Sequence, residues 1–236
     1  MTTAKTAYDE WHNRLAVDHL ADTPWHRLLK QHLSVAQDLA GKRVLEIGCG
    51  RGGFACWLGS QHPGELVAAD FSPAAVQKGK LFAAEKGLTR IRWEVTDIEA
   101  IAHRNESFDT VISCETIEHV PDPQKAVREL SRILKPGGRL FLTTPNYMGL
   151  LGLYRIYRGA TGRTYTEGGQ PINHFMLLPR TRRMVVKAGL KIKVVDGIGH
   201  YVPFPGRPPI EMTALNSPRF LMRWVSVQTL TIGEKP

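Results

Sequence analysis

The sequence is poor in the patterns that mark secreted or membrane-spanning proteins. It has only 3 cysteines among 236 residues, Cys49, Cys56 and Cys114, with no CxxC pair. That argues against a disulfide framework or a cysteine zinc site and favours the reducing environment of the cytoplasm. No apolar run approaches the roughly 20 residues that cross a bilayer, and the opening MTTAKTAYDEWHNRL does not resemble a secretory signal. We therefore expect a cytoplasmic protein with one α/β domain.

Acidic residues are scarce in the C-terminal part. The net charge is +9, yet residues 1–146 carry 18 Lys and Arg against 18 Asp and Glu. Residues 147–236 carry 13 basic residues against 4 acidic ones. A surplus confined to one part predicts either a surface that meets an anionic partner or a solvated basic face. Nucleic acid is the less favoured partner, because the basic residues are dispersed and no RNA-binding module is recognisable.

Short apolar runs and helix-like segments alternate along most of the chain. The predicted strands are KRVLEIG, ELVAAD, IRWEVTD, FDTVISC, RLFLTTPN, LKIKVVDG and WVSVQTLTIGE. The predicted helices are one or two segments over 7–39, then FACWLGSQ, SPAAVQKGKLFAAEKG, DPQKAVRELSRILK and TRRMVVKAG. This alternation is typical of a doubly wound α/β fold with helices on both faces of the sheet. We predict a mostly parallel, seven-stranded sheet with an antiparallel C-terminal strand.

A glycine-rich loop follows the first predicted strand. Within EIGCGRGG (46–53), Gly48, Gly50 and Gly53 satisfy GxGxxG, and Asp70 ends the second strand. Glycines let the backbone approach a ligand closely, and an acid at that strand end can accept hydrogen bonds from ribose hydroxyls. The loop alone would suit a nicotinamide dinucleotide almost as well as another nucleoside-containing cofactor.

Acidic residues distinguish a nicotinamide dinucleotide from the other kind of nucleoside-containing cofactor. Glu46 stands where a dinucleotide would place its pyrophosphate, which a carboxylate repels, whereas the ammonium and sulfonium of S-adenosylmethionine attract it. Asp97 and Ile98 follow the third strand, where they could meet the amino group and the face of an adenine. Residues 108–146 then form one continuous strand–helix–strand unit. Together these features indicate S-adenosylmethionine.

With these motifs the chain resembles the class I, Rossmann-like S-adenosylmethionine-dependent methyltransferases. The likeness is strongest over 44–146, and the pattern is most similar to the type 11 branch that contains ubiquinone-biosynthesis O-methyltransferases. It implies methyl transfer to a small-molecule acceptor, a hydroxyl on a hydrophobic natural product or quinone-like compound. The cofactor-binding residues that it implies are Glu46, Gly48, Cys49, Gly50, Gly52, Asp70, Phe71, Ser72, Asp97, Ile98 and Cys114.

A second cluster follows the fourth strand. The i, i+3, i+4 spacing of Glu115, Glu118 and His119 places them on one side of a helical turn. Such oxygen and nitrogen donors suit Mg²⁺, Mn²⁺ or Zn²⁺, and a metal or a histidine could help to remove a proton from a hydroxyl. Resemblance to metal-dependent O-methyltransferases adds His174. We expect catalytic roles for Glu115, His119 and His174, with all four as metal ligands, unless His119 merely supports the loop.

The resemblance also divides the domain. We expect an N-terminal helical lid (1–40), a cofactor-binding core (41–146), a cap insertion after strand five (147–178), and a C-terminal helix with a strand hairpin (179–236). Tyr8 and Trp11 would lie on the lid. Residues 199–219, with PFPGRPPIE, predict a linker. The apolar, arginine-containing stretch 147–158 predicts either a cap packed on the protein's own core or an amphipathic helix against a bilayer or a greasy substrate.

Other histidines and other functions stay open. His12, His26 and His32 are predicted on helix surfaces, and His200 as either a base or a surface residue. N- or C-methylation, RNA 2′-O-methylation and cofactor binding without catalysis are the alternative functions, because the same fold supports them all.

Overall fold

The computed structural model describes residues 2–14, 21–162, 170–204, 207–213 and 222–236. The described helices are α1 Thr2–Arg14, α2 Pro24–His32, α3 Gly53–Ser60, α4 Pro73–Glu85, α5 Pro123–Ile133, α6 Leu150–Ala160 and α7 Leu178–Lys187. The described strands are β1 Arg43–Ile47, β2 Glu65–Asp70, β3 Ile91–Val95, β4 Phe108–Cys114, β5 Leu134–Pro145, β6 Lys191–Ile198, β7 Tyr201–Phe204, β8 Arg207–Glu211 and β9 Gln228–Glu234. Within these ranges no helix is both long and apolar enough to span a bilayer.

Seven of these strands form one sheet in the order β3-β2-β1-β4-β5-β9-β6. The first five pair in parallel, and β9 runs antiparallel to both β5 and β6. This confirms the predicted mostly parallel, seven-stranded sheet. Strand order reverses between β1 and β4, so a crevice for a ligand is expected beyond the carboxyl ends of these two strands.

Helices cover both faces of the sheet. On one face, α2 and α3 pack against alternate sheet residues such as Val44 and Phe141. On the other, α5 and α7 pack against Leu45 and Leu142. The two apolar layers follow from the period of two in strands, since successive side chains point to opposite faces. This packing fixes the strand ends, and therefore the residues that follow them.

Helices α4 and α5, which follow the ends of β2 and β4, both begin with an N-cap side chain followed by proline. Ser72 accepts a hydrogen bond from the Ala75 amide at the start of α4, and Asp122 accepts one from the Lys125 amide at the start of α5. Each cap is followed by a proline, whose fixed φ and missing N–H suit the first helical turn. The caps fix where the loops after β2 and β4 end.

The predictions for the two ends of the chain need correction. The segment over 7–39 was predicted as one or two helices; its described residues contain parts of two, α1 and α2, and in addition a π-helical turn at Val35–Leu39. The predicted linker 199–219 contains a two-stranded antiparallel hairpin, β7 with β8, because the prolines occupy edge strands that need few ladder bonds. Its residues 205–206 and 214–219 lie outside the described residues. The last strand begins at Gln228 rather than at Trp224, which lies in a 3₁₀ turn.

Candidate active site

The glycine loop turns sharply at the end of β1. Gly48 and Cys49 donate their amides to the Ala69 carbonyl, at 2.8 and 3.0 Å, which ties the loop to β2. Gly48 has φ of 74°, and a Cβ there would collide with the Thr116 side chain. Gly52, with φ of 79°, caps α3 and lies against Trp93. Glycine is required at both positions by the backbone and by its neighbours.

Glu46 is a buried carboxyl at the start of this loop. Its side chain is 3% exposed, and Oε2 has no hydrogen-bond partner among the residues that the structure describes. Burial, and then the nearby Asp70, raise the pKa of Glu46 to about 8. A buried carboxyl that lacks a donor is suited to receive a cation, because a cation would stabilise its ionised form. The ammonium group of S-adenosylmethionine meets that requirement.

Asp70 ends β2 beside the loop. Its Oδ2 accepts the Gly50 amide at 2.9 Å, and its Oδ1 accepts the Ser72 amide at 3.0 Å. Burial raises the pKa of Asp70, although these amide hydrogen bonds oppose the change. Each carboxylate oxygen can accept a further donor, so the geometry is compatible with ribose hydroxyls.

The remaining residues of the predicted cofactor set differ in exposure. Asp97 is exposed after β3 and accepts the Glu99 amide at 2.8 Å, whereas Ile98 is buried in the apolar core. Burial raises the pKa of the Cys49 and Cys114 thiols well above the usual value. The two thiols therefore stay neutral, and both pack in the apolar cluster on one face of the sheet.

Glu115 does not share a helical turn with Glu118 and His119, contrary to the sequence prediction. It precedes a 3₁₀ turn at Ile117–His119 and has a positive φ of 46°. Its amide donates to the Thr143 hydroxyl at 3.1 Å, which holds this unusual conformation at the end of β4. Glu118 is fully buried, and its Oε1 lies 3.5 Å from His119 Nε2.

The two predicted catalytic histidines lie on adjacent segments. The His174 amide donates to the Glu118 carbonyl at 2.8 Å, so residues 172–174 run beside the 3₁₀ turn. His119 Nδ1 lies 2.7 Å from the Ile172 carbonyl, and His174 Nε2 lies 2.8 Å from the Val120 carbonyl. A carbonyl can only accept, so these contacts assign the protons to Nδ1 of His119 and Nε2 of His174. Each ring keeps one acceptor nitrogen.

Burial, the largest cause, lowers the pKa of His119 to about 4. The neutral ring therefore predominates at neutral pH, with Nε2 able to accept a proton. The predicted four-residue metal site is not assembled in this conformation. Among the described side chains, no three His, Cys, Asp or Glu residues are placed to hold a metal ion together. No chemical step is therefore derived through a metal.

Helix α1 lies over the crevice and contacts both halves of the site. The Tyr8 ring packs edge-on against Phe71, and its hydroxyl donates to the carbonyls of His119 and Ile172 at 3.4 and 3.3 Å. The Ser72 hydroxyl donates to the Asp9 carboxylate. These contacts bridge the ends of β2 and β4.

His12 and His26, which were predicted on helix surfaces, and His200, predicted as either a base or a surface residue, are all buried. His12 lies on the side of α1 that faces Gly50, His26 stacks on Phe54 with ring centroids 4.5 Å apart, and His200 is buried after β6. The prediction of surface positions for His12 and His26 is wrong, because long-range packing covers these helix faces. His32 is partly exposed and pairs with Asp196 at 2.7 Å.

Sequence reasoning missed Thr116 and Arg155. Thr116 fills the space beside Gly48, and Arg155 of α6 donates to the Asn173 carbonyl at 2.6 Å. The Arg155 guanidinium also lies over the Tyr147 ring, 4.5 Å from its centroid. Both roles depend on contacts between distant parts of the chain, which no local pattern signals.

Comparison with known proteins places this site in a family. A sequence model of the methyltransferase domain matches residues 45–142. The ubiquinone biosynthesis O-methyltransferase of Xanthomonas euvesicatoria is 32% identical over 179 residues, which cover 75% of this chain and 74% of that protein. The enzyme of the same name from Coxiella burnetii is 28% identical over 204 residues, covering 84% and 82%.

Solved structures share the fold. A methyltransferase from Mesorhizobium loti aligns with a TM-score of 0.64 at 16% identity, covering 89% of this chain and 97% of that one. One from Aquifex aeolicus aligns with a TM-score of 0.65 at 14% identity, covering 97% and 98%. Both are described as dependent on S-adenosylmethionine. Fold, glycine loop and sequence relatives agree, and the chain belongs to the S-adenosylmethionine-dependent methyltransferases.

Proposed function

We propose that this methyltransferase methylates a hydroxyl group of a hydrophobic small molecule, such as a phenol or quinone precursor, with His119 as proton acceptor. The observation that carries the proposal is the His119 ring, which donates Nδ1–H to Ile172 and keeps Nε2 as an acceptor beside Glu118. A hydroxyl is a weak nucleophile until its proton has an acceptor. The names of the two sequence relatives, both O-methyltransferases, support the same acceptor class.

The glycine loop and two buried acids would hold the cofactor. Glu46 would receive its ammonium group, Asp70 its ribose, and the segment of Asp97 and Ile98 its adenine. Bound S-adenosylmethionine supplies a methyl group on a positively charged sulfur. The cradle is assembled before binding, because the Gly50 amide and β2 already fix the Asp70 carboxylate. Such preorganisation lowers the entropic cost of aligning donor and acceptor.

The acceptor hydroxyl would lie between the loop and the His119 segment. The bound cofactor would supply the methyl carbon to this oxygen, with the electron pair of its carbon–sulfur bond left on sulfur. The hydroxyl proton passes to His119 Nε2 and then to solvent. Glu118, 3.5 Å from that nitrogen, would stabilise the imidazolium that forms. Tyr8 would exclude water from above, since its buried ring spans the crevice.

A methyl-transfer assay with a control variant tests the proposal. Hydroxylated aromatic compounds, with and without an apolar tail, are incubated with methyl-labelled cofactor, and the product ether is identified by mass spectrometry and NMR. His119→Asn retains a donor near the Nδ1 position but removes Nε2, so we expect kcat to fall roughly 100-fold or more. Binding of the demethylated cofactor should stay within a few-fold.

His62→Asn is the matched control, because His62 is exposed and its positive φ of 54° tolerates asparagine. It should keep wild-type kcat. Label on nitrogen or carbon, or an H119N variant as active as H62N, would exclude the proposed chemistry.

A further inference from the structure

Helix α6 presents apolar side chains to solvent along one stripe. Leu150, Leu153, Tyr154 and Tyr157 are 47%, 65%, 47% and 62% exposed. Their spacing of i, i+3, i+4 and i+7 places them on one side of the helix. Ile156 beside them is also exposed. The sequence left open whether this stretch packs on the protein's own core or faces a bilayer or a greasy substrate, and these side chains of α6 face away from the core.

The opposite side of α6 is fixed to the protein, so the stripe cannot turn inward. Gly152 is buried so closely that a Cβ would collide with the Tyr147 backbone. Arg155 lies over the rings of Tyr147 and Phe175, with distances to the centroids of 4.5 and 5.3 Å. It also donates to the Asn173 carbonyl. These inner contacts set the orientation of α6 and leave the stripe facing solvent.

Basic residues of α7 lie near the same end of α6. The Asn146 side chain accepts the amides of both Met148 and Leu178, which brings the starts of α6 and α7 together. Arg182 of α7 lies over the Trp224 ring. Val225, the exposed residue after Trp224, has its backbone against Gly149, the residue before α6. The exposed basic residues of α7 are Arg180, Arg182, Arg183 and Lys187.

Among the residues that the structure describes, no carboxylate forms an ion pair with these four basic residues of α7. Asp196 pairs with His32 at 2.7 Å, and Glu234 pairs with Lys193 at 2.9 Å. Neither pair involves a basic residue of α6 or α7. An apolar stripe close to the exposed basic residues of α7 has the composition of a surface that lies in the headgroup region of a membrane.

We propose that the exposed stripe of α6, with the basic residues of α7, docks the enzyme reversibly on an anionic lipid surface. The apolar side chains would enter the boundary between headgroups and acyl chains, and the arginines would contact lipid phosphates. A membrane fits better than a second copy of the chain, because a two-fold dimer through this face would bring like charges together. The stripe supplies the apolar contact and α7 supplies the charge complementarity.

Docking in this orientation would place the lipid surface next to the acceptor side of the site. Arg155, on the inner side of α6, holds the segment of Asn173 and His174 that contacts the His119 turn. An acceptor dissolved in the membrane would then have a short path to His119. This consequence rests on the proposed function, whereas lipid binding itself needs neither acceptor nor cofactor and is tested separately.

Vesicle co-sedimentation of the full chain tests the docking surface. Wild-type protein should sediment with vesicles of phosphatidylcholine and phosphatidylglycerol, much less with phosphatidylcholine alone, and less as salt is raised. The double variant Leu153→Gln with Tyr157→Gln should bind roughly tenfold or more weakly, because two apolar side chains no longer leave water. Its thermal unfolding should match wild type, since both side chains are already exposed.

Leu81→Gln is the matched control, because Leu81 is 55% exposed on α4, which packs against β2 and β3 at the sheet edge opposite β6. It should bind vesicles like wild type. The proposal fails if wild-type protein ignores anionic vesicles at low salt, or if the double variant binds as well as L81Q. A dimer in sedimentation equilibrium that the double variant abolishes, without vesicle binding, would assign the stripe to a second copy instead.

Discussion

Cofactor binding should release a proton from Glu46. In the free protein the pKa of this buried carboxyl is about 8, raised mainly by burial. At pH 7 about nine-tenths of the molecules therefore carry a proton on Glu46. A cofactor ammonium beside the carboxyl favours the ionised form, so its pKa in the complex falls toward or below the ordinary value. Binding at pH 7 should thus release close to one proton from this residue.

Isothermal titration calorimetry measures that proton directly. The demethylated cofactor is titrated at pH 7 into the protein in buffers of different ionisation enthalpy, and the slope of observed enthalpy gives the protons released. The variant Glu46→Gln reports every other proton change, so the difference from wild type should be about nine-tenths of a proton. Above pH 8 the difference should shrink, because Glu46 is already ionised before binding.

The variant Glu46→Gln also tests the interaction between the Glu46 carboxylate and the cofactor ammonium group. Loss of a charge-assisted hydrogen bond, worth about 1.5–3 kcal/mol, should weaken binding roughly 10- to 100-fold. Equal proton release by wild type and E46Q, together with equal affinity, would refute the assignment of Glu46 to the ammonium group. It would also remove the reason for preferring S-adenosylmethionine over a dinucleotide on the basis of this residue.

Further predictions concern the His119 turn and the loop. Burial lowers the pKa of His119 to about 4, so its proton-accepting form persists above that pH. The profile of kcat/KM should show no His119 inflection near 6.5, and a transition there that H119N removes would contradict the assignment. Activity should survive excess chelator, measured on dialysed enzyme, whereas loss that Mn²⁺ or Mg²⁺ restores would revive the metal hypothesis. Gly48→Ala should lose about 1–3 kcal/mol of unfolding free energy in urea, because φ is positive and Thr116 fills the space. Wild-type stability of that variant would show that the turn is not constrained.

Local sequence patterns were sufficient for the fold and for the position of the glycine loop. Strands β1 to β5 follow from short apolar runs, and the loop follows from glycines between a strand and a helix, as the structure has them. Such signals are local, because hydrophobic periodicity and turn-forming residues are properties of neighbouring positions in the sequence. The positions of β7 and β8 were missed because their prolines are typical of loops.

The orientation of helices and turns, and the burial of particular side chains, could not be predicted from local sequence patterns. The amphipathic pattern of α6 gives a stripe but not the side that faces solvent, which depends on Arg155 and its distant aromatic partners. The turn after β4 departs from a helical spacing because Glu115 adopts a positive φ held by Thr143 of β5. His12 and His26 are buried by helices and loops far along the chain. Each of these features is set by tertiary contacts.

A crystal structure with the demethylated cofactor tests the central account most directly. The account predicts the cofactor amino group within hydrogen-bonding distance of Glu46, the ribose hydroxyls on Asp70, and the sulfur on the side of the site where His119 lies. A cofactor bound with its sulfur away from the His119 turn, or with Asp70 and Glu46 uninvolved, would contradict it.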